Sequence, residues 1–233
     1  MHRPQAYFVT GTDTEVGKTF ATCALLHLAR SRNLRAIGMK PVAAGADAEG
    51  RNEDVDSLIA ASTLKASREL VNPYCFAAAV APHIAATLEA RHIDRATIIA
   101  AARQLAAQAD LLLVEGVGGF RVPLGPDFDT ADLARDLGLP VILVVGLRLG
   151  CLNHALLTAE AIHARSLTLA GWIANRIDPD MPHWQENVAA LRQRLPAPLL
   201  GVMPWLDSAD SAAATPFLSL PTQPGCTPDG PMR

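Results

Sequence analysis

The run Gly11-Thr-Asp-Thr-Glu-Val-Gly17-Lys18-Thr19 has the residue types and spacing of a phosphate cradle. It stands directly behind the apolar run Ala6-Tyr-Phe-Val9 and ahead of a helical stretch. A strand that ends in a glycine-rich turn and feeds a helix aims several backbone N–H groups at one point, where the helix dipole also favours negative charge. Lys18 can then reach the β- and γ-phosphates of a nucleotide, and the Thr19 hydroxyl can ligate Mg2+. Five residues separate the two glycines, one more than in the usual G-x-x-x-x-G-K-[ST] pattern, so the loop is a variant. An ordinary helix-capping turn accounts for the glycines but not for a Gly-Lys-Thr triplet at a strand-to-helix junction.

Chemistry of the same kind recurs further along. In Leu111-Leu-Leu-Val-Glu115-Gly-Val-Gly-Gly119 an acid ends an apolar run, as in the second nucleotide motif of P-loop proteins. A carboxylate projecting from that strand toward the phosphate loop suits Mg2+, and the glycines beside Val117, Gly116 and Gly118, let backbone approach a triphosphate. The alternative is an acidic N-cap followed by a flexible turn. Asp54, within Arg51-Asn-Glu-Asp-Val-Asp56, is a second candidate for the metal, although Glu53 or Asp56 could serve instead and acids in a first helical turn are commonly dipole partners. Lys40, in Lys40-Pro-Val-Ala-Ala-Gly45, stands where it could add a second fixed positive charge for oxygens that gain charge during phosphoryl transfer. A solvated strand-end lysine is the plainer reading. Cys151 and His154 lack a partner pair at zinc spacing, which favours a helix N-terminus that binds a carboxylate. Neither H-E-x-x-H nor G-x-S-x-G occurs, which removes metallopeptidase and serine hydrolase chemistry.

These residues need a scaffold that brings them to one place. Short Val/Ile/Leu-rich runs alternate with longer segments of helical spacing, the pattern of βα units around a buried parallel sheet. Strands are expected at 6–11, 36–40, 111–115, 141–145, 169–175 and 199–203, and the clearest helices at 18–30, 95–107, 153–164 and 183–195. Parallel strands need crossovers of one hand, so helices must cover both faces of a doubly wound sheet. Ligands gather at the carboxyl ends of such strands, and that rule selects Gly11, Lys40, Glu115, Gly146 and Asn175. The fold expected is therefore α/β: a single-domain, P-loop NTPase-like, mostly parallel sheet.

Bulk properties narrow the setting. With 233 residues, 50% hydrophobic, the chain can bury one sizeable α/β core. A net charge of −3, with scattered basic residues, gives no footprint for nucleic acid. The longest apolar stretch, 139–147, falls far below the roughly 20 residues needed to span a bilayer. The first strand begins too early to leave room for a signal sequence, so a cytoplasmic location is expected. Four widely separated cysteines, Cys23, Cys75, Cys151 and Cys226, read as reduced thiols. From Ser208 onward the chain is rich in Ala, Ser, Thr, Pro and Gly, and 221–233 reads as a frayed tail.

The ordered set Thr10 to Thr19, Lys40-Pro-Val, Arg51-Asn-Glu-Asp54, Val71-Asn-Pro-Tyr74, Ala81-Pro-His83, Val114 to Gly119, Leu149 to His154, Ala174-Asn175 and Gly201-Val-Met-Pro-Trp205 resembles the ATP-dependent dethiobiotin synthetases. The resemblance runs through about Leu206, which sets the expected division into a 1–206 domain and a 207–233 segment. It implies a homodimeric, Mg2+-dependent enzyme of biotin synthesis that converts 7,8-diaminopelargonate, CO2 and ATP to dethiobiotin, ADP and phosphate. Carried over residue by residue, Glu15, Val16, Gly17, Lys18, Thr19 and Phe20 bind phosphates, and Thr19, Asp54 and Glu115 hold Mg2+. Lys18 and Lys40 stabilise the carbamate and the transferring phosphoryl group, and Thr12 lies beside the substrate amines. Asn175 reads the adenine edge with Arg176 adjoining and backbone from Pro204, Trp205 and Leu206 assisting. Gly150, Cys151 and Asn153 of a second subunit take the substrate's distal carboxylate, which makes the active site a shared one.

Two departures stand out. Ala44 replaces a serine usual in the family, at a position expected to touch substrate, and Arg176 follows Asn175 where an acid or small residue is common. Two rival classes share the expected sheet. Switch ATPases of the cell-division type resemble one another in an extra lysine early in the loop, where this chain has Thr12, and often in a basic amphipathic tail; this tail is Pro-rich and carries only Arg233. Amide-forming synthetases of cobalamin synthesis normally bring a glutaminase domain, for which 233 residues leave no space.

Overall fold

The computed structural model describes residues 5–206 and 210–221. Six strands form one parallel sheet: β1 (Gln5–Gly11), β2 (Ala36–Met39), and, numbered around a small separate pair, β5 (Leu111–Gly119), β6 (Val141–Gly146), β7 (Leu169–Asn175) and β8 (Leu199–Met203). Their order is β2-β5-β1-β6-β7-β8, so the chain winds outward in both directions from β1, as expected of a doubly wound sheet. The pair is β3 (Val42–Ala44) and β4 (Tyr74–Phe76), also parallel, and it was not anticipated because three-residue strands carry no readable alternation.

Alternation along the strands explains why both faces need cover. Phe8, Leu112 and Val114 pack on one face with Ile98 and Leu105 of α5 (Arg95–Ala106) and Leu133 of α6 (Thr130–Leu137). Tyr7, Val9, Leu111 and Leu113 point the other way, onto Leu25 and Leu28 of α1 (Lys18–Ser31). Beyond them, Leu143, Val145 and the fully buried Trp172 pack against α7 (Cys151–Ala164) and α8 (Trp184–Arg194).

Three further helices arise from local signals. In α2 (Glu53–Ala61) the side chain of Asn52 caps the first turn, and Glu53, Asp54 and Asp56 complement the dipole. A one-turn helix, α3 (Arg68–Val71), leads into β4, and α4 (Pro82–Leu88) starts with proline in its first turn. Residues 210–221 pack on the body. They include a 3-10 helix, Ser211–Phe217, and Ala214 and Leu218 are buried with the α1 core. The tail expected over 221–233 lies, beyond the buried Pro221, outside the described residues. Among the described residues no helix is long and apolar enough to cross a membrane.

Candidate functional site

The phosphate loop joins β1 to α1, and its geometry follows from its glycines. Gly17 has φ +82°, a left-handed conformation, and a Cβ there would overlap the Asn175 amide nitrogen. Glu15 also takes positive φ, at 59°. The Asn175 amide donates to the Val16 carbonyl at 3.0 Å, and the Thr12 N–H to the Val144 carbonyl at 3.0 Å, so neighbouring strands hold both shoulders of the loop. Lys18 is 7% exposed and its Nζ donates to the Asp13 carbonyl at 3.0 Å, inside the curl of the loop.

Beneath the loop the charged groups interlock. Glu115 is fully buried on β5, which continues to Gly119 rather than stopping at the acid. Its Oε1 accepts from the Thr19 hydroxyl at 2.6 Å and from Lys40 Nζ at 3.0 Å. Lys40, 5% exposed, also donates to Asp54. The plainer reading of Lys40 as a solvated lysine is thus overturned: one ammonium is held between two carboxylates. The three acids of α2 have different neighbours. Asp54 turns toward Lys40, Asp56 is taken by Arg51 and Arg68, and Glu53 faces solvent.

Electrostatics follow from burial and these contacts. Burial holds Lys18 below the usual lysine value, with Glu115 countering and Lys40 adding to the effect. Burial pulls on Lys40 as well, but Glu115 and Asp54 outweigh it and hold the ammonium above its ordinary value. For Asp54, burial would favour the neutral acid; Lys40 and then Thr19 and Lys18 prevail and keep it below the usual carboxylate range. Behind the site, burial and then Glu115 push the Cys23 thiol up to about 12, which leaves it inert at neutral pH.

A divalent ion fits this arrangement. Glu115 Oε2 is buried without a hydrogen-bond partner, and the exposed side of Asp54 and the Thr19 hydroxyl complete an all-oxygen set of the kind Mg2+ takes. Among the described residues no three His, Cys, Asp or Glu side chains converge, so two carboxylates and a hydroxyl are the donors on offer.

A cavity of about 860 Å3 opens over these groups. Glu15, Gly17, Lys18, Thr19, Phe20, Lys40, Ala44, Asp54, Val117 and Gly118, all singled out in the sequence, line it. Gly116 packs beneath against the Phe8 ring. Thr14 of the phosphate loop also lines it, and the remaining wall, Ala79 to Pro82 with Val122, was missed as chemistry; the Ala81-Pro-His83 motif was its only signal. Asn175, Arg176, Pro204, Trp205 and Leu206 instead gather at the ends of β7 and β8, where the Arg176 N–H bonds the Met203 carbonyl at 3.1 Å. The Arg176 guanidinium lies 4.9 Å over the Trp184 ring and donates to the Pro179 carbonyl, while Trp205 is half-exposed.

Gly150, Cys151 and Asn153 stand apart from the cavity at the N-terminus of α7. The Cys151 side chain is buried in the core and its N–H bonds the Arg148 carbonyl, whereas Asn153 is exposed. Arg148, from the same turn, pairs with Asp13 of the phosphate loop, a link that no sequence pattern announced.

Known proteins resemble this chain in sequence and in fold. A family model described as an AAA domain matches residues 5–213. The ATP-dependent dethiobiotin synthetase BioD of Aromatoleum aromaticum is 61% identical over 224 residues, covering 95% of this chain and 100% of that protein. The protein of the same name from Janthinobacterium sp. is 52% identical over 231 residues, covering 96% of each. Among solved structures, the septum site-determining protein MinD of Pyrococcus horikoshii, complexed with Mg-ADP, matches with a TM-score of 0.54 at 17% identity, over 91% of this chain and 93% of its own. That likeness shows the P-loop fold alone, so it lends the switch-ATPase reading no weight. Full-length identity of this order shows membership: the chain belongs to the ATP-dependent dethiobiotin synthetases, ligases that form C–N bonds.

Proposed function

We propose that the chain carboxylates 7,8-diaminopelargonate with CO2 and closes it to dethiobiotin, spending one ATP to ADP and phosphate in biotin synthesis. A neutral amine of the substrate attacks CO2 and sheds a proton to leave a carbamate, which is a poor electrophile. The carbamate oxygen attacks the γ-phosphorus, the bond to the bridging oxygen breaks, and ADP departs. In the carbamic-phosphoric anhydride so formed, phosphate is a good leaving group. The second amine attacks the carbonyl carbon, the new C–N bond forms, phosphate leaves with its electron pair, and the attacking nitrogen sheds a proton.

In each step charge collects on oxygen, so the chain's contribution is position and fixed positive charge. Lys18, at the start of α1, and Lys40, just past the end of β2, face one cavity, and both are buried enough for their charge to act with little screening. Thr19, Asp54 and Glu115 would hold Mg2+, which when bound neutralises phosphate oxygens. The phosphate loop from Glu15 to Phe20 would carry the triphosphate, with the backbone of Gly116, Val117 and Gly118 alongside. Thr12 would stand beside the diamine and Ala44 beside the carbamylated end. Asn175 and the 204–206 backbone would receive the adenine, next to Arg176. In a homodimer, the partner subunit's Gly150, the partner subunit's Cys151 and the partner subunit's Asn153 would take the distal carboxylate through the α7 N-terminus. We take 1–206 as the catalytic unit, 207–233 as an accessory segment, and the cytoplasm as its place of work.

The observation that carries this reading is the Lys40 ammonium, buried between Glu115 and Asp54 under the phosphate loop, in a chain 61% identical to a named synthetase. Incubation with 7,8-diaminopelargonate, bicarbonate and Mg-ATP should give the cyclic urea by mass analysis and equimolar ADP. Hydrolysis of ATP without the urea would refute it.

A further inference from the structure

We infer that Asn72 is a positioning residue for Lys40, an inference that rests on the role proposed for Lys40 above. The pairing of β2 with β5 ends at Met39 opposite Val114, so Lys40 stands one residue beyond the sheet ladder. Its main chain is held from the other side. The Lys40 N–H donates to the Val71 carbonyl at 2.9 Å, and the Lys40 carbonyl accepts from Asn72 Nδ2 at 2.6 Å. The same nitrogen donates to the Tyr74 carbonyl at 3.0 Å, while the Tyr74 N–H bonds the Pro41 carbonyl at 3.0 Å.

Asn72 is 6% exposed, so water has little access to replace either bond. Its own place is fixed by the end of α3, where its N–H bonds the Arg68 carbonyl at 2.7 Å. A lysine side chain is long and has many rotamers; the direction in which Nζ arrives depends on how firmly its peptide planes are set. The Asn72 amide sets the plane that follows Lys40. None of its hydrogen bonds, to Lys40, Tyr74 and Arg68, reaches the phosphate loop. Its loss should therefore disturb the Lys40 ammonium and spare ATP binding. Aspartate in its place has the same volume but no N–H, and it would turn a carboxylate oxygen toward two carbonyls.

The test uses the full chain carrying Asn72→Ala, Asn72→Asp or Asn72→Ser, each alone and combined with Lys40→Ala. We expect the first two to lower kcat by about 10–100-fold, with the Kd for Mg-ATP moved by less than about threefold. Asn72→Ser, which keeps one short donor, should fall between them and wild type. In the Lys40→Ala background the same changes should cost less than about twofold more, because nothing remains to be aimed. Turnover within about twofold of wild type in a folded Asn72→Asp chain, or an equal fold-loss in both backgrounds, overturns the inference. If the alanine variant does not fold, the aspartate and serine variants decide. Normal turnover by Lys40→Ala would refute the Lys40 role and this inference together. Loss in Lys40→Ala, with no loss in Asn72→Asp, would refute the inference alone.

Discussion

Two stretches of the carboxyl edge are built on opposite plans. Around the phosphate loop Lys18, Lys40 and Glu115 are buried, and Thr19, Lys40, Asp54 and Glu115 are fixed to one another by hydrogen bonds. At the β6–α7 turn, Leu149 is 95% exposed, Asn153 is exposed, and Gly150 has open space around it. The first region is complete within one chain, as expected where charge must be stabilised without reorganisation. The second offers an exposed helix N-terminus outside the 860 Å3 cavity, which we propose works on a ligand held by another copy.

The comparison can be broken most forcefully at Lys40. Lys40→Ala should lower kcat by about 10²–10³-fold, measured at saturating substrates, with little change in Mg-ATP affinity. Near-normal turnover would mean that the interlocked region is only structural. Next in size is Asn153→Asp, which adds negative charge where the helix tolerates it but the substrate carboxylate would not. It should raise KM for the diamine by roughly tenfold, equivalent to about 1.4 kcal/mol, and leave kcat nearly intact. Mixed at low diamine, Lys40→Ala and Asn153→Asp subunits should together exceed the sum of their separate activities, since one site of each mixed dimer would be whole. Strict additivity would place each site within one chain.

Smaller effects refine the picture. Ala44→Ser should lower KM for the diamine by a factor worth about 0.5–1.5 kcal/mol with ATP use unchanged; an unaltered KM would show that position 44 does not touch substrate. The pH dependence separates the carboxylate from the ammonium. Asp54 has a folded value below its unfolded one, near 3.9, so its contribution is full above that value and is lost as pH falls through the folded one. Lys40 is shifted upward, so its contribution is full below about 10.4 and is lost only as pH rises through its folded value. Denaturant unfolding of Asp54→Asn should thus show a shallower loss of stability below pH 4 than wild type, and the same slope would contradict the pairing.

The contrast also explains what was legible in the sequence. The six strands of the main sheet announced themselves as apolar runs, and they ended within a few residues of the expected positions. Glu115 is instructive: the acid looked like a strand end, yet β5 continues through Gly116 to Gly119, because glycines lie flat against Phe8 and the phosphate loop. Lys18 and Thr19 were readable because their chemistry comes from adjacent residues. Helical position alone did not separate Asp54 from Asp56, since both occupy the first turn of α2; the family resemblance selected Asp54, and the third dimension pairs it with Lys40 and Asp56 with arginines. Arg148 with Asp13, and Asn72 with Lys40, join residues far apart in the chain through contacts that no spacing encodes.

The account turns on one meeting point for triphosphate, divalent ion and the two lysines. Its most direct test is a crystal structure with Mg2+ and a non-hydrolysable ATP analogue. The account predicts the ion at about 2.1 Å from oxygens of Thr19, Asp54 and Glu115, with the γ-phosphate between Lys18 and Lys40. A nucleotide bound with its phosphates away from Lys18, or an ion that leaves Glu115 untouched, would contradict it.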